Sequence, residues 1–333
     1  MDLPGINDVI KAEERIYKNI SKTPIVSSSL LNSWLGHKIF FKAECLQKIG
    51  AFKVRGAFNT VAWLIENNRK PQHIVANSSG NHAQAVAWAA SQYNIPSTIY
   101  MPSFSSEIKI QATLAYGGRV ELCDTRVETD ENVKQAAAEK GAFWIPPFNH
   151  EQVICGQGTA AWEALKDMGS VEAVFAPCGG GGLLSGTLIS AHALCPGAKV
   201  IGAEPLNAND AAQSLRTGSI CKLTGAPDTL ADGAMTVSVG DITFEFLRKL
   251  DDMYEIEEVR IQYWTQWLTH LLKLQIEPTS ALAMEAAFKW LDKQTDQKTI
   301  LIILSGGNID QEMNSKIWNK NFLTDIPSLS NHS

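Results

Sequence analysis

The 333 residues are 45% hydrophobic and 19% charged, enough for a large buried core and for two domains. A net charge of −6, with Lys and Arg scattered, excludes broad electrostatic attraction to nucleic acid. No apolar run approaches the roughly 20 residues needed to span a membrane, and the start, MDLPGINDVIKAEERIYKNI, has no apolar segment of the signal-peptide kind, so a cytoplasmic protein is expected.

In chain order, apolar and β-rich runs alternate with longer amphipathic stretches. The runs predict strands over 37–44, 73–79, 97–102, 119–124, 142–148, 173–178, 199–204 and 299–305. Helical stretches lie between them, among them 81–93 and 279–293. Strands separated by helices imply β-α-β units with parallel sheets, hence an α/β protein. Several strands are continuously apolar, as expected where helices cover both faces. The last residues, TDIPSLSNHS, read as a polar tail. Cys45, Cys123, Cys155, Cys178, Cys195 and Cys221 form no C-x-x-C pair, which predicts reduced and mostly buried thiols. Polar or glycine-rich turns follow the strands at 79–80, 179–182 and 305–307. Ligands gather at the carboxyl ends of strands in open α/β sheets, so three distant segments point to one site.

Four motifs carry chemistry. A-F-K-V-R-G-A-F at 51–58 places Lys53 between Phe52 and Val54 just before an expected helix. Alone it could be a surface charge; in an apolar pocket such a lysine loses proton affinity and suits Schiff-base chemistry. N-S-S-G-N-H at 77–82 reads either as a turn capped by Ser79 or Asn81, or as a cradle in which Ser78, Ser79 and Asn81 meet a carboxylate or a ring hydroxyl. C-G-G-G-G-L-L-S-G at 178–186 joins a strand to a helix. Four glycines there cost roughly 1 kcal/mol each against alanine, a cost that makes sense if backbone amides surround a phosphate. The same loop, with Glu204 ending the next strand, could serve a dinucleotide, which keeps an NAD-dependent dehydrogenase as the alternative from another class. L-S-G-G-N at 304–308 is a turn, or a place where Ser305 meets a ring nitrogen.

In this order and spacing the four motifs resemble those of the fold-type II pyridoxal-phosphate enzymes, closest to the serine/threonine dehydratases and serine racemases, over about residues 15–310. The resemblance implies a tryptophan synthase β-like fold of two α/β domains, each an open, mostly parallel sheet flanked by helices. Residues 1–72 with 150–320 would form a large cofactor domain, 73–149 a small mobile one, and 321–333 a tail. It implies that Lys53 holds pyridoxal phosphate, with Phe52 against the ring and Asn81 on the ring hydroxyl. Gly179, Gly180, Gly181, Gly182 and Leu183 would supply amides to the phosphate, and Ser305 would face the ring nitrogen. Ser78, Ser79, Asn81 and His82 would hold the substrate carboxylate. Lys53 would take the Cα proton, and Ser79 would work on the opposite face, as in the racemases.

A-E-P-L-N-A-N-D at 203–210 resembles the racemases' divalent-metal site, with Glu204, the Ala208 carbonyl and Asp210 around Mg2+ or Ca2+; the plain reading is a solvated acidic turn. Pro146-Pro147-Phe148-Asn149 departs from the family's H-P-x-N, and the part of A-D-G-A-M-T-V-S at 231–238 expected near the substrate side chain diverges. The implied activity is conversion of L-serine, L-threonine or 3-hydroxyaspartate to a 2-oxo acid and ammonia, with serine racemisation as companion or main activity. A homodimer acting on a small amino acid is the implied assembly. An inactive cofactor-binding protein on the same scaffold is a third possibility.

Overall fold

The computed structural model describes residues 3–330. Among them are ten strands: β1 (Ile25–Val26), β2 (Lys38–Ala43), β3 (His73–Asn77), β4 (Ser97–Pro102), β5 (Arg119–Cys123), β6 (Ala142–Trp144), β7 (Ala173–Pro177), β8 (Lys199–Pro205), β9 (Asp252–Ile256) and β10 (Thr299–Leu304). They form a six-stranded sheet of order β1-β2-β10-β7-β8-β9 and a four-stranded sheet of order β5-β4-β3-β6. Every neighbouring pair is parallel except β1 and β2.

The continuously apolar strands are those covered on both faces. Phe175, Ile201, Ile300 and Ile302 pack with Trp264 and Leu282 on one side of the larger sheet. Their chain neighbours Val174, Val200, Leu301 and Ile303 pack with Ile154 and Leu184 on the other. Successive residues of a strand point to opposite faces, so both must be apolar here. Under the smaller sheet, Ile74, Ala76, Ile99 and Met101 meet Val54 and Phe58 of the helix Lys53–Glu66, while Val75 meets Val133 and Ala136 on its other face.

The eight expected strands all form, with two instructive differences at their ends. β3 stops at Asn77, leaving Ser78 and Ser79 in the turn. β6 stops at Trp144, close before Pro146 and Pro147, which have no N–H to give a ladder. β1 and β9 were not expected: the first is two residues long, and the second, DMYEI, is a polar edge strand. The expected polar tail, described as far as residue 330, packs instead. Phe322 and Leu329 join the core, and the carbonyl of Asp325 accepts from Tyr263 Oη at 2.9 Å and Trp267 Nε1 at 3.1 Å. Residues 331–333 lie outside the described chain. None of the six cysteines is in a disulfide, and four are buried. No helix among the described residues is long and apolar enough to cross a membrane.

Arg55, two residues past Lys53, is fully buried in a charge cluster that ties β2 to two helices. Its Nε and Nη2 donate to Glu44 at 2.6 and 2.8 Å, and its Nη1 and Nη2 to Glu163 at 2.8 and 2.9 Å. Lys42 Nζ donates to Glu163 at 2.8 Å and to the Thr23 carbonyl at 2.7 Å. Two cations and two carboxylates balance, so removing one member strands a buried charge. Alongside, the helix Glu151–Met168 approaches so closely that a Cβ at Gly156 would lie 2.6 Å from the Arg55 carbonyl oxygen. Replacing Arg55 by Met is expected to lower the unfolding free energy by about 3–5 kcal/mol in urea titrations; a loss below about 1 kcal/mol, the range of an exposed pair, would contradict this account.

Candidate active site

One strand-end turn and one helix start are held together by main chain. Phe52 N donates to the Ser305 carbonyl at 2.9 Å, Gly307 N to the Gly50 carbonyl at 2.9 Å, and Ala51 bridges Gly306 in antiparallel fashion. Lys53, the first residue of its helix, is thereby set beside the end of β10. The glycine loop after β7 leads into the helix Gly182–Leu194, completing a cleft lined by Phe52, Lys53, Phe148, Gly179–Leu183, Gly233, Thr279 and Ser305.

Lys53 is held in apolar surroundings. Its Nζ lies 5.2 Å from the Phe52 ring centroid and donates to the carbonyl of Pro147 at 2.7 Å. Burial pushes its pKa down to about 8, against a smaller opposing pull from Glu277. The amine is thus far closer to its nucleophilic form at neutral pH than an ordinary lysine.

The glycine loop is shaped by close contacts. Gly181 has φ +91°, and a Cβ at Gly180 would stand 2.1 Å from Phe148 Cδ1. Thr243 Oγ1 donates to the Gly180 carbonyl at 2.7 Å, so that oxygen already has a partner. The first N–H groups of the following helix have no partner within it and concentrate partial positive charge, the arrangement that binds phosphate.

Ser305 is buried, with its Oγ 3.0 Å from Ser280 Oγ and donating to Glu277 Oε1 at 3.4 Å. Asn81 opens the helix Asn81–Ser91; neither it nor Ser79 caps that helix, so the capping reading of this turn does not hold. The Asn81 amide reaches Glu277 and Asn308 instead. Ser78 and Ser79 are half-buried in the turn, where Ser78 Oγ accepts from Gly80 N at 3.2 Å. His82 is buried below, donating from Nε2 to the Ile145 carbonyl at 2.8 Å. Burial and the nearby Lys53 push its pKa down to about 3, so the ring is neutral. None of residues 78–82 lines the cleft directly in this structure.

Sequence patterns missed the contacts between the smaller-sheet side and the 231–238 segment. Lys109 of the helix Glu107–Ala115 pairs with Asp232, and Arg126 Nη1 donates to the Met235 carbonyl at 3.0 Å, so the smaller-sheet side is tied to the divergent 231–238 segment. Thr279 Oγ1 accepts from Gly233 N at 3.0 Å. Ordinary lysine and arginine positions give no sequence signal for such contacts.

Glu204 and Asp210 stand apart from this cleft. Glu204 is fully buried and accepts from Ala211 N at 3.2 Å and Ala212 N at 2.6 Å. Burial raises its pKa well above the ordinary carboxylate range and brings Asp210's up to about 7. Asp210 Oδ1 meets Thr236 Oγ1 at 3.5 Å, while its buried Oδ2 has no hydrogen-bond partner. Ala208 is buried between them in sequence. No group of three or more His, Cys, Asp or Glu side chains able to hold a metal occurs among the described residues.

Residues 16–306 match the family of pyridoxal-phosphate dependent enzymes. The chain belongs to this family. It is 41% identical to the L-threo-3-hydroxyaspartate ammonia-lyase of Saccharomyces cerevisiae over 314 residues, 94% of this chain and 95% of that one. It is also 41% identical to the serine racemase of Schizosaccharomyces pombe over 312 residues, 93% and 96% of the two chains. The solved structure of maize serine racemase superposes with a TM-score of 0.88 at 34% identity, covering 96% of this chain and 98% of that one. The two-domain α/β architecture of the fold-type II enzymes is therefore the fold, and the dinucleotide reading of the glycine loop falls away. The cleft fits pyridoxal phosphate: a lysine of lowered pKa faces a tightly packed glycine loop, in which a Cβ at Gly180 would collide with Phe148, a helix N-terminus and a buried hydroxyl.

Proposed function

We propose that this enzyme eliminates water from a small β-hydroxy amino acid, releasing a 2-oxo acid and ammonia, with 3-hydroxyaspartate, L-serine and L-threonine as the candidate substrates and serine racemisation as a companion activity. The carrying observation is the desolvated Lys53 amine opposite the glycine cradle and beside Ser305. The two names borne by the 41%-identical relatives, a hydroxyaspartate ammonia-lyase and a serine racemase, support both halves of the reading.

When bound, the cofactor supplies the electron sink that makes the substrate Cα–H acidic. Gly179–Leu183 would hold its phosphate with their amides, Phe52 would pack on its ring, Asn81 would donate to its ring oxygen and Ser305 would face its ring nitrogen. The N–H groups and hydroxyls of Ser78, Ser79 and Asn81, with the backbone of His82, hold the substrate carboxylate. Lys53 would hold the cofactor and, with its proton affinity lowered by burial, would serve as the base for the substrate Cα proton. Ser79 carries a proton on the opposite face. The residues 73–149 act as a small domain that closes on the large one, with Lys109–Asp232 and Arg126–Met235 as the contacts that fasten it and keep water out. A cytoplasmic homodimer is the working assembly.

Glu204, the Ala208 carbonyl and Asp210 hold Mg2+ or Ca2+ in this reading. The buried, unpartnered Oδ2 of Asp210 supports it, because a lone carboxylate oxygen in such a place needs a cation or a proton. The ion would stiffen the β8 end that packs beside the glycine loop.

Three measurements test these proposals. Purified enzyme given each of the three substrates is expected to release equimolar 2-oxo acid and ammonia from at least one; Ser79→Ala is expected to lose D-serine formation while keeping elimination from the L-substrate, and equal loss of both would remove Ser79 from the opposite-face role. Mg2+ is expected to raise the melting temperature of the wild type but not of Asp210→Asn; identical curves with Mg2+ and with chelator would remove the metal site.

A further inference from the structure

Glu277 takes none of the roles above. It stands at the N-terminal cap of the helix Pro278–Leu291, where an acid ordinarily accepts from helix N–H groups, yet its side chain makes no cap and turns into the site, 2% exposed. Its carboxylate accepts from Asn81 Nδ2 at 3.0 and 3.3 Å and from Ser305 Oγ at 3.4 Å. Room is kept for it: a Cβ at Gly306 would come within 2.6 Å of Oε1. One buried carboxyl thus touches both side chains read as partners of the cofactor's polar edge. The charged groups around it are Lys53, Lys109 and Asp232.

The chemistry of the partners fixes which way the Asn81 amide points. Asn308 Nδ2 donates to the Ile49 carbonyl at 2.7 Å, and a carbonyl only accepts, so Asn308 must present nitrogen on this side. The same nitrogen lies 2.8 Å from Asn81 Oδ1, which therefore faces Asn308, leaving Asn81 Nδ2 for Glu277. An amide nitrogen has two N–H bonds, and Glu277 accepts one.

We infer that Glu277, backed by Asn308, is a positioning residue that holds the Asn81 amide so that its second N–H, and not its carbonyl oxygen, meets the cofactor's ring oxygen. A donor there favours the anionic form of that oxygen, whereas a flipped amide would set two oxygens against each other. The inference rests on the proposed assignment of Asn81 to that oxygen.

The test titrates apoprotein with pyridoxal phosphate and follows the absorbance of the bound cofactor in the wild type, Glu277→Met, Glu277→Gln and Asn308→Ala. Methionine keeps the length of Glu277 without an acceptor; glutamine keeps a carbonyl acceptor. Glu277→Met is expected to bind cofactor about tenfold more weakly, the scale of one hydrogen bond left unmade, and to show a lower ratio of visible to near-ultraviolet absorbance. Glu277→Gln is expected to restore both, and Asn308→Ala to shift both in the direction of Glu277→Met. A folded Glu277→Met protein matching the wild type in affinity and ratio overturns the inference, as does a Glu277→Gln protein that behaves like Glu277→Met. If Glu277→Met does not fold, an Asn308→Ala protein matching the wild type overturns it. Asn81→Ala separates this from the reading beneath it: an unchanged absorbance ratio there would remove Asn81 itself from the ring oxygen.

Discussion

A short stretch of main-chain pairing between residues 50–52 and 305–307 holds the reactive end of this molecule in place. It joins the helix that starts with Lys53 to the turn that ends β10, two segments from opposite ends of the chain. Because the bonds run between backbone groups, the side chains of Lys53 and Ser305 remain free to face the cleft. The glycines follow from this contact. Gly50 adopts φ +74°, and a Cβ there would sit 2.5 Å from Asn308 Oδ1. Asn308, Asn81 and Glu277 hang from the same junction, so a single backbone register sets the positions of the amine, the hydroxyl and the amide.

The contrast between Lys53 and Arg55 shows how one helix turn can shift the proton affinities of two cations in opposite directions. Arg55 lies between two carboxylates that answer its charge. Lys53 has only the carbonyl of Pro147 and apolar neighbours, with Glu277 as its one carboxylate influence. Desolvation therefore wins at Lys53 and loses at Arg55, leaving the first reactive and the second structural. The ion pairs around Arg55 tie the first turn of this helix to Glu44 and Glu163, two residues past Lys53.

Much of this was legible in the sequence because its signals were local. The eight strands announced themselves as apolar runs, and the glycine loop as a cost that a bound anion would justify. β9 escaped because an edge strand can be polar, and β1 because two residues carry no pattern. The partners of the site were harder. Lys42, Glu44 and Glu163 look like surface charges until the fold brings them around Arg55, and no spacing encodes the contacts of Lys109 with Asp232 and of Arg126 with the Met235 carbonyl. Glu277 looks like a helix cap in E-P-T-S; only the structure turns its side chain inward. The sequence pointed to Ser305, which lines the cleft, but not to its link through Glu277 to Asn81, since that depends on side chains brought together by long-range packing.

The claim on which the rest stands is that Lys53 is the residue covalently joined to the cofactor. Borohydride reduction of the cofactor-loaded protein fixes any lysine–cofactor bond, and peptide mass mapping then locates it. The account predicts the pyridoxyl mass on the peptide containing Lys53 and on no other lysine in stoichiometric amount. A stoichiometric label on Lys48 or Lys109, or none on Lys53, would contradict it.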